Sequence, residues 1–219
     1  MMGLPRIDPY SLPRLADLPR PRAPWTPRPD RLALLVHDMQ RYFCAPFAPD
    51  AAPLREVTAH VARLLTAARA AGIPVFYTAQ KGSQFPADRG LQRDLWGPGM
   101  EAGPDHEAIL APLAPAPGDH VLVKHRYSAF QRSNLAALMR ARGRDQLLIT
   151  GIYAHIGCLA TAAEAFQRDI QPFPVCDAQA DFDRARHDMA MGWIAGCCGV
   201  PLDTETALDA MGAMTRAAE

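Results

Sequence analysis

The chain has no excess of charge of either sign. Its 23 Lys and Arg balance 23 Asp and Glu over 219 residues, for a formal net charge of zero. Binding to a nucleic-acid backbone relies on clustered basic side chains that release counterions, so a nucleic-acid partner is not expected. No apolar run approaches the roughly 20 residues that a bilayer-crossing helix needs, and the N-terminus lacks the apolar stretch of a secretory signal. No membrane association and a cytoplasmic location are therefore expected. The five cysteines (Cys44, Cys158, Cys176, Cys197 and Cys198) are odd in number, and no two stand in CxxC spacing. A disulfide framework or a structural zinc site is accordingly not expected, and packed or idle thiols are the default.

What the chain does contain is a hydrophobic share of 49% against 21% charged residues, enough to bury a sizeable core. Proline is unevenly spread: eight of the 21 fall before Asp30. Residues 1–30 cannot form a continuous helix and favour extended conformations. They read as an arm lying over its own domain or a neighbour, with Tyr10, Leu12 and Trp25 as anchors. A disordered tail is the alternative.

From residue 31 onward, apolar strands alternate with amphipathic helices. LALLVHD (32–38) is a continuous apolar run ending in polar residues, the pattern of a strand covered on both faces. Leu54, Val57, Val61, Leu64, Leu65 and Ala68 recur at three- and four-residue spacing, so 54–70 reads as a helix, with Gly72 to cap it and Pro74 to stop it. Further strands are expected at 73–80, 120–124, 145–151 and 170–177, and a short sixth one at 199–202. Pro172 and Pro174 each lack a ladder donor, which argues against a fifth strand there or places it near an edge. Helices are expected from Ser133 through Arg142, from about 157 to 168, from an Asp183 cap to about Cys197, and after Thr204. This alternation implies a single α/β domain with a mainly parallel, Rossmann-like sheet covered by helices on both faces.

Ligands of open α/β sheets sit beyond the carboxyl ends of the strands. Those ends carry His37-Asp38-Met39-Gln40, Thr78-Ala79-Gln80, Lys124-His125-Arg126-Tyr127, and the stretch from Gly151 to Cys158. An acid, a cation and a helix start are thereby brought to one edge of the sheet. His37 is expected to point away from it, because neighbours on a strand alternate faces.

The segments HDMQRYF (37–43), TAQKGS (78–83), RGLQRDLWGPGM (89–100), KHRYSAF (124–130) and GIYAHIGC (151–158) resemble, in order, the successive signatures of the isochorismatase branch of the cysteine-hydrolase superfamily. The resemblance runs from about residue 5 to 208. It implies that residues 31–219 form one isochorismatase-like hydrolase domain, a three-layer αβα sandwich with a six-stranded sheet, assembled as a homodimer. Amidase members of the superfamily use an Asp, a Lys and a nucleophilic Cys, and the matching positions here are Asp38, Lys124 and Gly157. Glycine at the third position removes thiolate attack. Cys158 lies one residue further, about 100° around the helix, which aims it into the core. Some amidase relatives hold a metal through a DxH pair after the first strand. Residues 39–60 contain none, so no metal and no cofactor are expected.

Such a site suits a vinyl ether, whose difficult step is proton delivery to a carbon atom, a task for one positioned acid. The resemblance makes Asp38 the general acid, with Lys124 as its catalytic partner. The expected substrate is a small dianionic cyclohexadiene, either isochorismate or 2-amino-2-deoxyisochorismate, cleaved with release of pyruvate in siderophore or phenazine-type biosynthesis. Arg89 and Lys124 would each meet one carboxylate, and Gln80 would donate to a carboxylate or a ring substituent. Backbone N–H groups from Tyr153 to Gly157 would hold an anion, with the missing side chain of Gly157 allowing close approach. Phe43, Trp96 and Tyr127 would wall the pocket. His155 is expected to make a structural hydrogen bond. His125 departs from the family, which has Trp there. The siderophore members often carry an appended aryl-carrier domain, and no phosphopantetheine site precedes Glu219, which favours the amino substrate. Two other readings remain: a nicotinamidase-type cysteine amidohydrolase using Cys158, and a scaffold without catalysis.

Overall fold

Every position of LALLVH is buried, and the side chains divide cleanly between two cores. Leu32, Leu34 and Val36 of this first strand, β1 (Leu32–His37), enter one cluster, while Ala33 and Leu35 enter the other. This is the burial expected of a strand covered on both faces, and each such aliphatic side chain contributes about 1.5–3 kcal/mol. The same division recurs in β4 (Gln146–Ile152), where Leu148 and Ile152 face one core and Leu147 and Ile149 the other. The computed structural model describes residues 4–217, with side chains to residue 212; the first three residues of the expected arm and the last two of the expected domain lie outside these.

After β1 come α1 (Arg41–Cys44), α2 (Leu54–Ala70) and β2 (Val75–Ala79), then three short helices, α3 (Pro86–Arg89), α4 (Gln92–Trp96) and α5 (Pro104–Glu107), and β3 (His120–Val123). The second half runs through α6 (Leu135–Ala141), β4, a π-helical turn (Ala154–Cys158), α7 (Leu159–Gln167), β5 (Gln171–Ala180), α8 (Arg184–Cys197) and α9 (Thr204–Ala217). The sheet is parallel throughout, in the order β3-β2-β1-β4-β5. Helix α2 buries Val57, Val61, Leu64, Leu65 and Ala68 on one face of it. Helices α6, α7 and α8 cover the other, through Leu135, Met139, Ala162, Ala165, Met191 and Ile194. Asp183 caps α8, its carboxylate accepting from the Arg186 amide. Among the described residues no helix is long and apolar enough to cross a membrane.

The expected sixth strand is reduced to a single parallel bridge between Leu202 and Val175, so five strands form the sheet. The two prolines of β5 account for its tolerance of this position. A strand residue directs its N–H and C=O to the same side, and the carbonyls of Pro172 and Pro174 accept from Val200 and Leu202 on the outer edge. The missing donors therefore fall away from β4, whose ladder is intact at these positions.

Residues 4–30 lie along this same domain. Ile7 is buried and forms a bridge with Phe47, and its amide donates to the Pro46 carbonyl. The Tyr10 hydroxyl accepts from the Asp181 amide at 2.7 Å and meets His187 Nδ1 at 3.2 Å. Trp25 packs against Phe166 of α7.

Candidate functional site

Strand order reverses direction at β1 and β4, with β2 and β3 on one side and β5 on the other. That switch point opens a crevice beyond the carboxyl ends of the two strands. Here lies a pocket with about 530 Å³ of space between its walls, part of it open to solvent. Its lining includes Asp38, Phe43, Gln80, Arg89, Trp96, Lys124, Tyr127, Tyr153 and Gly157. The nine residues singled out in the sequence thus come together from five stretches of chain.

Asp38 stands at its floor, just past the end of β1, with a φ of 50° that turns the chain out of the strand. Its carboxylate accepts from Lys124 Nζ at 2.8 Å, from the Thr78 hydroxyl at 2.6 Å and from Gln80 Nε2 at 3.3 Å. Burial pushes this carboxyl up, but the Lys124 ammonium, helped by His37 and the two hydrogen bonds, outweighs it and holds the group below its ordinary value. Lys124 also donates to the carbonyls of Arg126 at 2.8 Å and Tyr127 at 3.3 Å. Its three N–H bonds are therefore taken, which removes it as a direct ligand for a substrate carboxylate.

Arg89 remains for that task. It is 7% exposed and lines the pocket, and its Nε donates to the Gly97 carbonyl at 2.6 Å. A side-chain carbon on Gly99 would come within 2.6 Å of that guanidinium, and Gly99 has a φ of +83°, so glycine is required there twice over. Burial lowers the pKa of Arg89, and among the described residues no carboxylate lies within 4 Å to offset it. A buried guanidinium without an acidic partner favours an anionic ligand.

The aromatic wall is cross-linked. Trp96 Nε1 donates to the Tyr127 hydroxyl at 2.7 Å, and the Tyr153 hydroxyl donates to the Phe43 carbonyl at 2.6 Å. The helix start behind Tyr153 is less open to an anion than the sequence suggested. The His155 amide donates to Asp181 Oδ2 at 2.6 Å, and the ring of His155 meets the other oxygen of the same carboxylate. The chain's own acid thus occupies one of the donors expected to face a ligand. Cys158 is fully buried in the core shared by α7 and α8, and burial raises its thiol well above the ordinary value.

His37 departs from its expected orientation. It lines the pocket, its Nδ1 2.9 Å from the Ile152 carbonyl and its Nε2 3.3 Å from that of Tyr127. Strand alternation ends with β1 at His37, and the positive φ of Asp38 turns the next side chain to the same crevice. The space that a side chain at Gly157 would take is filled by the same ring, so the glycine gives a substrate no extra depth there.

A family profile described as the isochorismatase domain matches residues 32–206. The chain belongs to the isochorismatase family. It is 51% identical over 208 residues to the isochorismatase of Bacillus subtilis (strain 168), across 95% of this chain and 67% of that protein. It is 49% identical over 206 residues to the phenazine biosynthesis protein PhzD of Pseudomonas fluorescens, across 94% of this chain and 98% of the relative. Among solved structures, a cysteine hydrolase from Pseudomonas syringae pv. phaseolicola 1448A superposes with a TM-score of 0.77 at 27% identity, covering 89% of this chain and 98% of the other.

Within this isochorismatase-family site, sequence reasoning missed Leu4, Tyr42, Gln92, Ile152 and Ile156, all of which line the pocket. Leu4 comes from the N-terminal segment and carries no local signal, since only the path of that segment brings it to the mouth. Gln92 sits one turn before Trp96 in α4 within RGLQRDLW, a motif that held the signal for it. His125, the departure from the family pattern, does not line the pocket, and its Nδ1 is buried without a hydrogen-bond partner.

Proposed function

We propose that this chain hydrolyses the enolpyruvyl vinyl ether of isochorismate or 2-amino-2-deoxyisochorismate, releasing pyruvate and a dihydroxylated or amino-hydroxylated cyclohexadiene acid for siderophore or phenazine-type biosynthesis. The observation that carries this reading is the buried Asp38–Lys124 pair at 2.8 Å beside a position, Gly157, that has no nucleophile. An acid without an attacking group suits protonation of carbon.

Asp38 delivers a proton to the terminal methylene carbon, which leaves an oxocarbenium ion at the ether carbon. Water adds there and returns a proton to the carboxylate. The resulting hemiketal breaks its bond to the ring oxygen, giving pyruvate and the ring alcohol. In the empty site the Lys124 ammonium keeps Asp38 ionised. The two substrate carboxylates oppose that field on binding, so protonation of Asp38 is coupled to substrate entry. Arg89 takes one carboxylate in a bidentate pair, a role supported by its burial without an acidic partner. Gln80 orients Asp38 through the bond to Oδ2 and reaches the substrate from the same amide. Phe43, Trp96, Tyr127 and Tyr153 hold the carbocycle and limit water.

The reaction needs neither metal nor cofactor in this reading. A cytoplasmic homodimer belongs to it too, the exposed Val121 and Val123 of edge strand β3 being consistent with assembly. Similarity to both an isochorismatase and a phenazine protein supports keeping the two ring substituents. Pyruvate release, coupled to lactate dehydrogenase and measured side by side on the two compounds, tests the proposal. Turnover of either supports it and the ratio of rates identifies the substrate, whereas no pyruvate from either compound refutes it. An Asp38→Asn variant with a wild-type rate–pH profile would refute the role given to Asp38.

A further inference from the structure

A side-chain carbon built on Gly157 would lie 2.2 Å from Cε1 of His37, 2.8 Å from Nε2 and 3.0 Å from Nδ1. All three of its nearest neighbours belong to one imidazole. Gly157 lies in the π-helical turn at the start of α7, outside the left-handed backbone region, so its own conformation would accept any L residue. What demands glycine there is the ring, which is fully buried and pinned between the carbonyls of Ile152 and Tyr127. The Tyr127 carbonyl is also one of the three acceptors of the Lys124 ammonium, and His37 Nδ1 is 3.8 Å from Asp38 Oδ2. The imidazole thus lies beside Asp38, shares the Tyr127 carbonyl with Lys124 and occupies the space where a side chain at position 157 would project.

We propose that His37 is a specificity-determining residue that fills the volume of a nucleophile at position 157, excludes one sterically, and so confines the Asp38–Lys124 pair to proton delivery. The functional consequence rests on the vinyl-ether reading above; the steric exclusion does not. Glycine at 157 and histidine at 37 form one unit, and neither can be altered freely without the other. In a helix, Gly→Ala is ordinarily neutral or stabilising where the backbone suits it. Here its sign should depend on a residue 120 positions away in sequence.

The test is a cycle of Gly157→Ala in two backgrounds, wild type and His37→Ala, with His37→Val as a second, strand-compatible replacement. Thermal denaturation should show Gly157→Ala lowering Tm by about 3–10 °C when His37 is present, as overpacking does in a domain of this size. In either His37-replaced background the same substitution should leave Tm unchanged or raise it. A parallel set with Gly157→Cys, built on Cys197→Ser to remove the exposed thiol, is treated with iodoacetamide and the labelled residue located by mass spectrometry. The thiol introduced at position 157 should react at least tenfold faster when His37 is replaced. Additive Tm losses, equal labelling rates in both backgrounds, or failure of both His37 replacements to fold would each overturn the proposal. Because neither readout uses turnover, absence of pyruvate release would defeat the functional reading while leaving the pairing of His37 and Gly157 to stand or fall by itself.

Discussion

Lys124→Met keeps the length of the side chain and removes its charge, leaving Asp38 buried without its counter-ion. Unit charges 2.8 Å apart attract by about 6 kcal/mol at an effective dielectric of about 20, before desolvation is subtracted. Removing one partner of a buried pair costs about 3–5 kcal/mol in practice, and this is the loss of unfolding free energy expected at pH 8. The loss should depend on pH with a definite sign. In the wild type the folded pKa of Asp38 lies below its unfolded value. The group therefore contributes stability that is present above the unfolded pKa and is lost as pH falls through the folded one. In the variant His37 and the Thr78 hydrogen bond still oppose burial, but without the ammonium the folded pKa rises above the unfolded value of about 4. The buried carboxylate is then a penalty at high pH that protonation relieves. The gap between the two proteins should shrink by about 1.4 kcal/mol per pH unit between the raised pKa and the unfolded value. His37, 3.8 Å from Asp38, acts in the same direction, because burial lowers its pKa and the lysine adds to that lowering. Urea denaturation at pH 8, 6.5 and 5 measures the gap. A gap that does not change with pH would refute the reasoning, as would an Asp38→Asn/Lys124→Met double variant no more stable at pH 8 than the single one.

Arg89→Met should lower kcat/KM by about 30–150-fold, carried mostly by KM, because a charge-assisted pair to a substrate carboxylate contributes about 2–3 kcal/mol; steady-state pyruvate release measures it, and an unchanged KM would remove Arg89 from the binding site. Cys158→Ala should leave the rate of turnover within twofold of wild type and cost about 1 kcal/mol of stability from the emptied core volume, read by denaturation beside the activity assay. Tyr10→Phe deletes the acceptor for the buried Asp181 amide and the contact with His187, so it should cost about 1–2 kcal/mol and speed proteolytic cleavage within residues 4–30.

The parallel sheet was legible because its strands advertise themselves. LALLV within LALLVHD and LLI within DQLLITG are continuous apolar runs, the pattern of a strand covered on both faces or of a buried helix too short to stand. The helix at 54–70 was equally plain from its three- and four-residue spacing. The sixth strand was not, since residues 199–202 pair at one position only and no local feature distinguishes a bridge from a ladder. Asp38, Lys124 and Arg89 were found through strand-end placement and motif. What each of them bonds to was not: that Lys124 spends its donors on Asp38 and two carbonyls, and that Asp181 already occupies the helix start, follows from distances between segments far apart in the chain.

His37 marks the boundary most clearly. Its identity and its place at the end of a strand are local facts, and from them the alternation rule sends the side chain away from the site. The turn at Asp38 ends that rule, and the space beside Gly157 receives the ring. Sequence by itself determined the layers, the family and the residues that gather at the strand ends, because hydrophobic periodicity and short motifs are carried by neighbouring residues. Tertiary structure decided which donors are free, which thiol is buried and which side chain fills the place of a nucleophile, because those depend on excluded volume and hydrogen-bond partners supplied from elsewhere in the chain.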